Sequence, residues 1–191
     1  MAGPVGKWLA GRAPQAGQAL GTDYEWELAL DLLAEIGDAA VIPPKFWEAL
    51  AAAARQMMLD RHARWADWRA AELRFDVIRV NLSLVDTHEG GRSTPIPGDG
   101  QLRPLWDIGL RDKSGRTSLA IAVLWVESAF TLAPGESAVV RLAPLTPRLW
   151  RHLRARDVIT MHEGQPVVGL GSIVEMTPAS HPAGGDATSA P

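Results

Sequence analysis

At Phe75 the spacing of apolar residues changes from a helical period to a strand period, and that change most constrains the fold. Upstream, Trp26, Leu30, Leu33 and Ile36 recur at intervals of three and four, which makes one helical stripe. Downstream, Ile78, Val80, Leu82 and Leu84 alternate with Arg79, Asn81 and Ser83, the pattern of a half-buried strand. A helical region followed by a strand region is an α+β chain.

Boundary signals divide the chain further. Residues 1–21 are rich in Gly, Ala and Pro and read as a flexible N-terminal segment. Residues 22–73 read as a two-helix region. Thr22 or Asp23 caps the first helix, acidic Asp23, Glu25 and Glu27 suit its N-terminal dipole, and Gly37 is placed to end it in a left-handed cap. Pro43 and Pro44 then open a second helix from Lys45 to Leu73, with Phe46, Leu50, Ala54, Met57, Met58, Trp65 and Trp68 along one broad side. That stripe reads first as packing surface and second as a groove for a protein partner, with Trp65 and Trp68 as its anchors. Residues 178–191 lack any large apolar group and read as a disordered tail.

Between them, further strand rows are expected at Leu119 to Trp125, at Val140 and Leu142, at Val158 to Met161, and at Val168, Leu170, Val174 and Met176. Gly90-Gly91, Pro97 to Gly100, Ser114-Gly115 and Pro134-Gly135 supply turns between them. Short strands at this spacing point to a closed antiparallel barrel or a sandwich of about 100 residues. Gly169 and Gly171 alternate with larger residues in the last strand, where a crowded barrel face or a bulge has no room for side chains.

Composition narrows the chemistry. Cysteine is absent, which removes disulfides, thiol catalysis and Cys-ligated zinc together. The net charge of −3 supplies no global field toward nucleic acid or anionic lipid. No run of about 18 apolar residues occurs and the N-terminus is a poor signal peptide, so a cytoplasmic protein without a membrane partner is expected. The excess of arginine over lysine, with frequent Ala, Gly and Pro, suggests a GC-rich bacterial coding bias. No H-E-x-x-H, G-x-S-x-G or paired acid–base spacing occurs, so neither a catalytic residue, a metal site nor a cofactor is expected. A phosphate loop is missing as well: Gly6-Lys7 is the one Gly-Lys pair, and it is followed by Trp8.

The order of short motifs resembles a known family. His88 to Pro95, with Gly90-Gly91-Arg92, precedes Leu102-Arg103-Pro104; Asp112 to Gly115, Ala133 to Glu136, Glu163-Gly164 and Val168 to Gly171 follow. This succession resembles the C-terminal β-barrel, the third domain, of elongation factor Tu, over roughly half the chain. The resemblance implies a six-stranded antiparallel barrel over residues 74–177, without that factor's GTPase domain. It further implies a module of translation that meets protein partners or the T-stem of tRNA. Of the family's tRNA-contact positions, Glu163 is retained and Ser114 keeps a hydroxyl, while Leu105, Gln165 and Pro166 depart from the pattern.

The densest basic patch is Arg148, Arg151, Arg154 and Arg156, with His152 and Trp150 among them. Arginines around an aromatic suit single-stranded nucleic acid. The plainer alternative is a solvated basic turn whose Leu149, Trp150 and Leu153 cover the barrel. Two functions are therefore expected: a non-catalytic protein–protein adaptor or regulator linked to translation, or an RNA- or tRNA-binding protein using this patch with Ser114 and Glu163.

Overall fold

A computed structural model describes residues 23–39, 42–127, 129–164 and 166–179. The expected N-terminal segment 1–21 lies outside the described residues, as do residues 180–191 of the expected tail. The chain divides into two compact units, Met1–Ala71 and Glu72–Pro191.

The helical unit holds three helices rather than two: α1 (Asp23–Ala39), α2 (Pro44–Gln56) and α3 (Asp60–Glu72), whose last residue begins the second unit. The expected long second helix breaks at Met57–Leu59. Met58 adopts a left-handed φ of 56°. Its N–H donates to the Arg55 carbonyl at 3.1 Å, and the Leu59 N–H to the Ala54 carbonyl at 2.9 Å. These two bonds close a Schellman cap on α2, with Met where glycine is usual. Asp60 then stands in the first turn of α3, where the dipole favours an acid.

Gly37 does not end α1, which continues to Ala39. A Cβ on Gly37 would lie 2.6 Å from the Trp47 ring, so this glycine lets α1 approach α2 closely. Trp47, rather than Phe46, is the buried aromatic, and Phe46 meets it edge-on with centroids 5.3 Å apart. The other buried apolar residues of the three helices are Leu30, Ala34, Leu50, Ala51, Ala54, Ala63, Trp65, Ala66 and Ala70. The small residues let the helix axes come near enough for large rings to fill the remaining space. Arg69 lies over both the Trp47 and Trp65 rings, at 5.1 and 5.7 Å, and its Nε donates to Asp38 at 2.7 Å.

The second unit contains β1 (Val77–Leu84), β2 (Ile96–Pro97), β3 (Leu105–Asp107), β4 (Ala120–Val126), β5 (Thr131–Leu132), β6 (Ser137–Pro144), β7 (Val158–His162) and β8 (Val167–Thr177). Six of them close an antiparallel barrel in the order β1-β6-β4-β3-β7-β8; β2 and β5 form a separate small pair. Closure pairs every strand of the barrel on both sides and leaves no edge. The core gathers Ile78, Val80, Leu82 and Leu84 from β1 with Ala122, Leu124, Val140, Leu142, Trp106, Ile159 and Met161.

The face of β8 differs from the expected row. Gly169, Gly171 and Ile173 are buried, while Leu170 and Val174 stand outside. A Cβ on Gly171 would meet Val80 Cγ1 at 2.6 Å, which places the missing side chains against the crowded interior of β1.

Candidate functional surfaces

Register divides the loops between two ends of the barrel. Leu105 pairs with His162 and Asp107 with Thr160, while Ala122 pairs with Pro144. The turn from β3 to β4 therefore shares one end with the connection from β6 to β7. The β7–β8 hairpin lies at the other end, where Leu84 pairs with Gly169. Ser114 and the four arginines are thus brought to one end, and Glu163 is placed at the opposite one.

At the first end, Pro147–Trp150 makes one turn of 3₁₀ helix. Trp150 and Leu153 point into the barrel core and close it like a stopper. Trp150 is therefore not an exposed stacking platform, in agreement with the plainer alternative. Leu149 is left partly exposed. The His152 ring lies 2.7 Å from the Ile108 carbonyl and ties the connection to the residue after β3.

The arginines here are unequal. Nη1 of Arg154 donates to the carbonyls of Arg151 at 2.8 Å and Leu153 at 2.7 Å, so this guanidinium holds its own turn together. Asp157 completes the turn by accepting the Arg154 backbone N–H at 2.7 Å. Arg156 takes a φ of 78°, and its N–H donates to Ile173. The side chains of Arg148 and Arg151 have no ion pair or hydrogen bond among the described residues.

Ser114 is likewise engaged. Its hydroxyl donates to Asp112 at 2.6 Å and accepts from Nε of Arg116 at 2.9 Å. The Ser114 hydroxyl, with backbone N–H donors, holds the Asp112 carboxyl below the ordinary carboxylate range. At the other end, Glu163 forms an ion pair with Arg92, whose guanidinium burial pushes below its ordinary value. Arg92 Nε also donates to the Thr94 carbonyl at 3.1 Å, so this pair joins the Gly90-Gly91 turn to the β7–β8 hairpin.

The helical unit gives a different surface from the one expected. Trp65 is only 5% exposed and Trp68 is half-buried, so the Trp65 ring belongs to the core. Among the described side chains of α1, Leu30 and Ala34 are the fully buried apolar ones, beside Asp31 and Gly37. Trp26, Leu28, Leu32, Leu33 and Ile36 stand outside the packing, with Trp26 55% and Ile36 58% exposed. At 100° per residue they span a continuous arc of about 160°. A surface this apolar is unusual for a helix facing only solvent.

One ionic network had no signal in sequence spacing. Arg79 and Arg141 face each other across β1 and β6, a like-charge pair that is unfavourable by itself. Glu127, just beyond β4, receives Nε of both arginines, and Glu72 accepts Nη1 of Arg141 at 2.8 Å. The network binds the first residue of this unit to the barrel wall.

Among the described residues no cluster of three or more His, Asp or Glu could hold a metal ion. No described helix is long and apolar enough to cross a membrane. No family model matches the chain, and a comparison with curated proteins finds no relative.

Proposed function

We propose that this chain is a non-catalytic, cytoplasmic binding module that acts as a protein–protein adaptor or regulator. The observation that carries this reading is the apolar arc of α1, where Trp26, Leu28, Leu32, Leu33 and Ile36 are presented together. A folded partner's apolar groove accepts such a helix through residues spaced at three and four. The surface of engagement is therefore α1, and not the Trp65 side of α3. The link to translation rests on the resemblance of the barrel to the third domain of elongation factor Tu.

A second reading is favoured by one arrangement: the unpaired Arg148 and Arg151 side chains share a barrel end with the Asp112–Arg116 turn. Two guanidinium groups at a solvent-facing end suit RNA phosphates. In this reading Glu163 and Arg154 are structural rather than RNA contacts, because both are engaged within the protein.

Affinity capture of the tagged chain at low and moderate salt separates the two. The adaptor reading expects a stoichiometric protein, insensitive to nuclease and salt, that is lost in the Leu32→Glu/Ile36→Glu double variant. The RNA reading expects recovery that falls steeply with salt and is lost in Arg148→Glu/Arg151→Glu. Capture unchanged in both variants refutes both readings.

A further inference from the structure

The acids of α1 are Asp23, Glu25, Glu27, Asp31, Glu35 and Asp38, and the helix has no base. Some of them are used by the fold. Asp31 meets the His62 ring of α3 at 3.2 Å, and Asp38 accepts Nε of Arg69 at 2.7 Å. Glu27 is engaged as well. Glu25 and Glu35 have no hydrogen bond or ion pair among the described residues. At 100° per residue Glu25 projects between Leu32 and Ile36, in the middle of the exposed apolar arc, and Glu35 flanks the arc beside Leu28. The two carboxylates stand about 15 Å apart along the helix axis. Every other residue of α1 that projects within the arc is apolar.

We infer that this arc is covered by a basic amphipathic helix of a partner protein, whose apolar stripe packs along Leu32, Leu33 and Ile36 and whose Lys or Arg side chains meet Glu25 and Glu35. The inference rests on the adaptor reading and adds the partner's chemistry to it. Covering Leu32 and Ile36 takes the Glu25 carboxylate out of water with them. A desolvated carboxylate is costly unless a cation and hydrogen bonds replace that water. A wholly apolar partner leaves the cost unmet, and an acidic one adds repulsion. A second copy of α1 is an acidic partner of this kind, because it brings no base to the interface. Helices that lie on anionic lipid carry Lys and Arg on their polar face, and α1 has neither. A helix suits the surface because side-chain ridges spaced at three and four on α1 take matching ridges from another helix.

The test titrates fluorescein-labelled peptides of α1's length with the full chain and reads anisotropy. One peptide has a leucine stripe at helical spacing and a pair of arginines about three turns apart beside it. The other two carry glutamine or glutamate in place of both arginines. The expected result is saturable binding of the arginine peptide, about tenfold tighter than the glutamine one, with the glutamate one weakest. Glu25→Gln/Glu35→Gln should remove that preference and leave the helical circular dichroism unchanged, because neither side chain has a partner in the fold. Leu32→Glu/Ile36→Glu should abolish binding. If all three peptides bind alike and Leu32→Glu/Ile36→Glu abolishes it, the adaptor reading stands and the basic partner is overturned. An arginine preference that survives Glu25→Gln/Glu35→Gln, or binding that survives Leu32→Glu/Ile36→Glu, overturns the inference by placing the contact elsewhere. Absence of binding overturns it too, and capture from lysate then decides the adaptor reading separately. In that case a dimer in sedimentation that Leu32→Glu/Ile36→Glu dissociates names a second copy as the occupant. Peptide binding gained in Lys7→Glu/Arg12→Glu names the chain's own N-terminal residues instead.

Discussion

The Glu127 carboxylate accepts two hydrogen bonds from one guanidinium, from Arg79 Nε at 2.7 Å and Nη2 at 2.9 Å. The same carboxylate accepts Nε of Arg141 at 3.0 Å, and its side chain is only 5% exposed. Its carboxylate bonds both of the arginines that β1 and β6 set side by side, while Glu175 pairs with Arg79 and Glu72 with Arg141. Removing it leaves opposed cations with too little counter-charge. Glu127→Ala is therefore expected to cost about 3 kcal/mol of stability, read as a fall in the denaturant midpoint. A loss below about 0.5 kcal/mol would mean that Glu72 and Glu175 suffice.

The same geometry sets an acid limit. Burial by itself pushes the Glu127 carboxyl up, but the Arg79 hydrogen bonds and the Arg141 charge outweigh it and hold the group below its ordinary 4.5. A carboxyl lowered in the folded chain contributes its stability above the unfolded value and loses it as pH falls through the folded one. The melting temperature is expected to stay level from pH 7 to about 5 and to drop below about 4. Glu127→Gln should flatten that drop. An equally steep drop in the variant would assign it to other carboxylates.

Gly171 offers a test of barrel closure. A methyl group there meets Val80 Cγ1 at 2.6 Å and Ile159 Cγ1 at 3.3 Å, both on stiff β-branched side chains. Gly171→Ala should cost about 1–3 kcal/mol by overpacking. At Gly164 a Cβ meets nothing within 4 Å, and only its φ of 66° opposes a side chain. Gly164→Ala should cost about 1 kcal/mol. Similar losses at both sites would remove the steric account of Gly171.

Much of the barrel was legible because period-two alternation is enforced wherever one face of a strand is buried. Val77–Leu84 and Ala120–Val126 fell within a residue or so of their expected rows. The last strand misled for a physical reason. Two of its inward positions, Gly169 and Gly171, are glycines, while Leu170 and Val174, apolar residues that catch the eye, are outward ones. The helical unit was less legible for two related reasons. Trp47 is buried by a glycine on another helix, and Met58 turns the chain without a glycine or proline. Candidate site residues could be found by charge and hydroxyl, but their partners could not. Ser114 and Arg154 are engaged within their own turns, Glu163 is engaged by Arg92, which only the fold brings near, and nothing in local spacing pairs Glu127 with Arg79.

Met58 holds a conformation that costs a side-chain-bearing residue about 1–2 kcal/mol. Its side chain is 86% exposed, so it regains little through packing. Met58→Gly should relieve the left-handed strain and lose part of that gain to greater freedom of the unfolded chain. The expected net effect is a stabilisation of about 0.5 kcal/mol, with unchanged helical circular dichroism. A destabilised variant would show that the Met57–Leu59 turn depends on the Met58 side chain rather than on the two backbone bonds of its cap.

Arg154 and Arg151 lie three residues apart in one basic turn, yet charge reversal should affect them differently. The Arg154 guanidinium donates to two carbonyls in its own turn, and a glutamate there would set a carboxylate against the same oxygens. Arg154→Glu should therefore cost about 1–2 kcal/mol, loosening the Trp150 stopper with it. Arg151→Glu removes no protein contact and should stay within about 0.5 kcal/mol of the parent chain. Chemical denaturation of the two single variants checks the difference. If they prove equally stable, the Arg154 carbonyl bonds contribute nothing net, and Arg154 returns to the set of side chains available for RNA. If they differ as expected, only Arg148 and Arg151 report cleanly on nucleic-acid binding, because weaker binding in Arg154→Glu would reflect the turn as well as the charge.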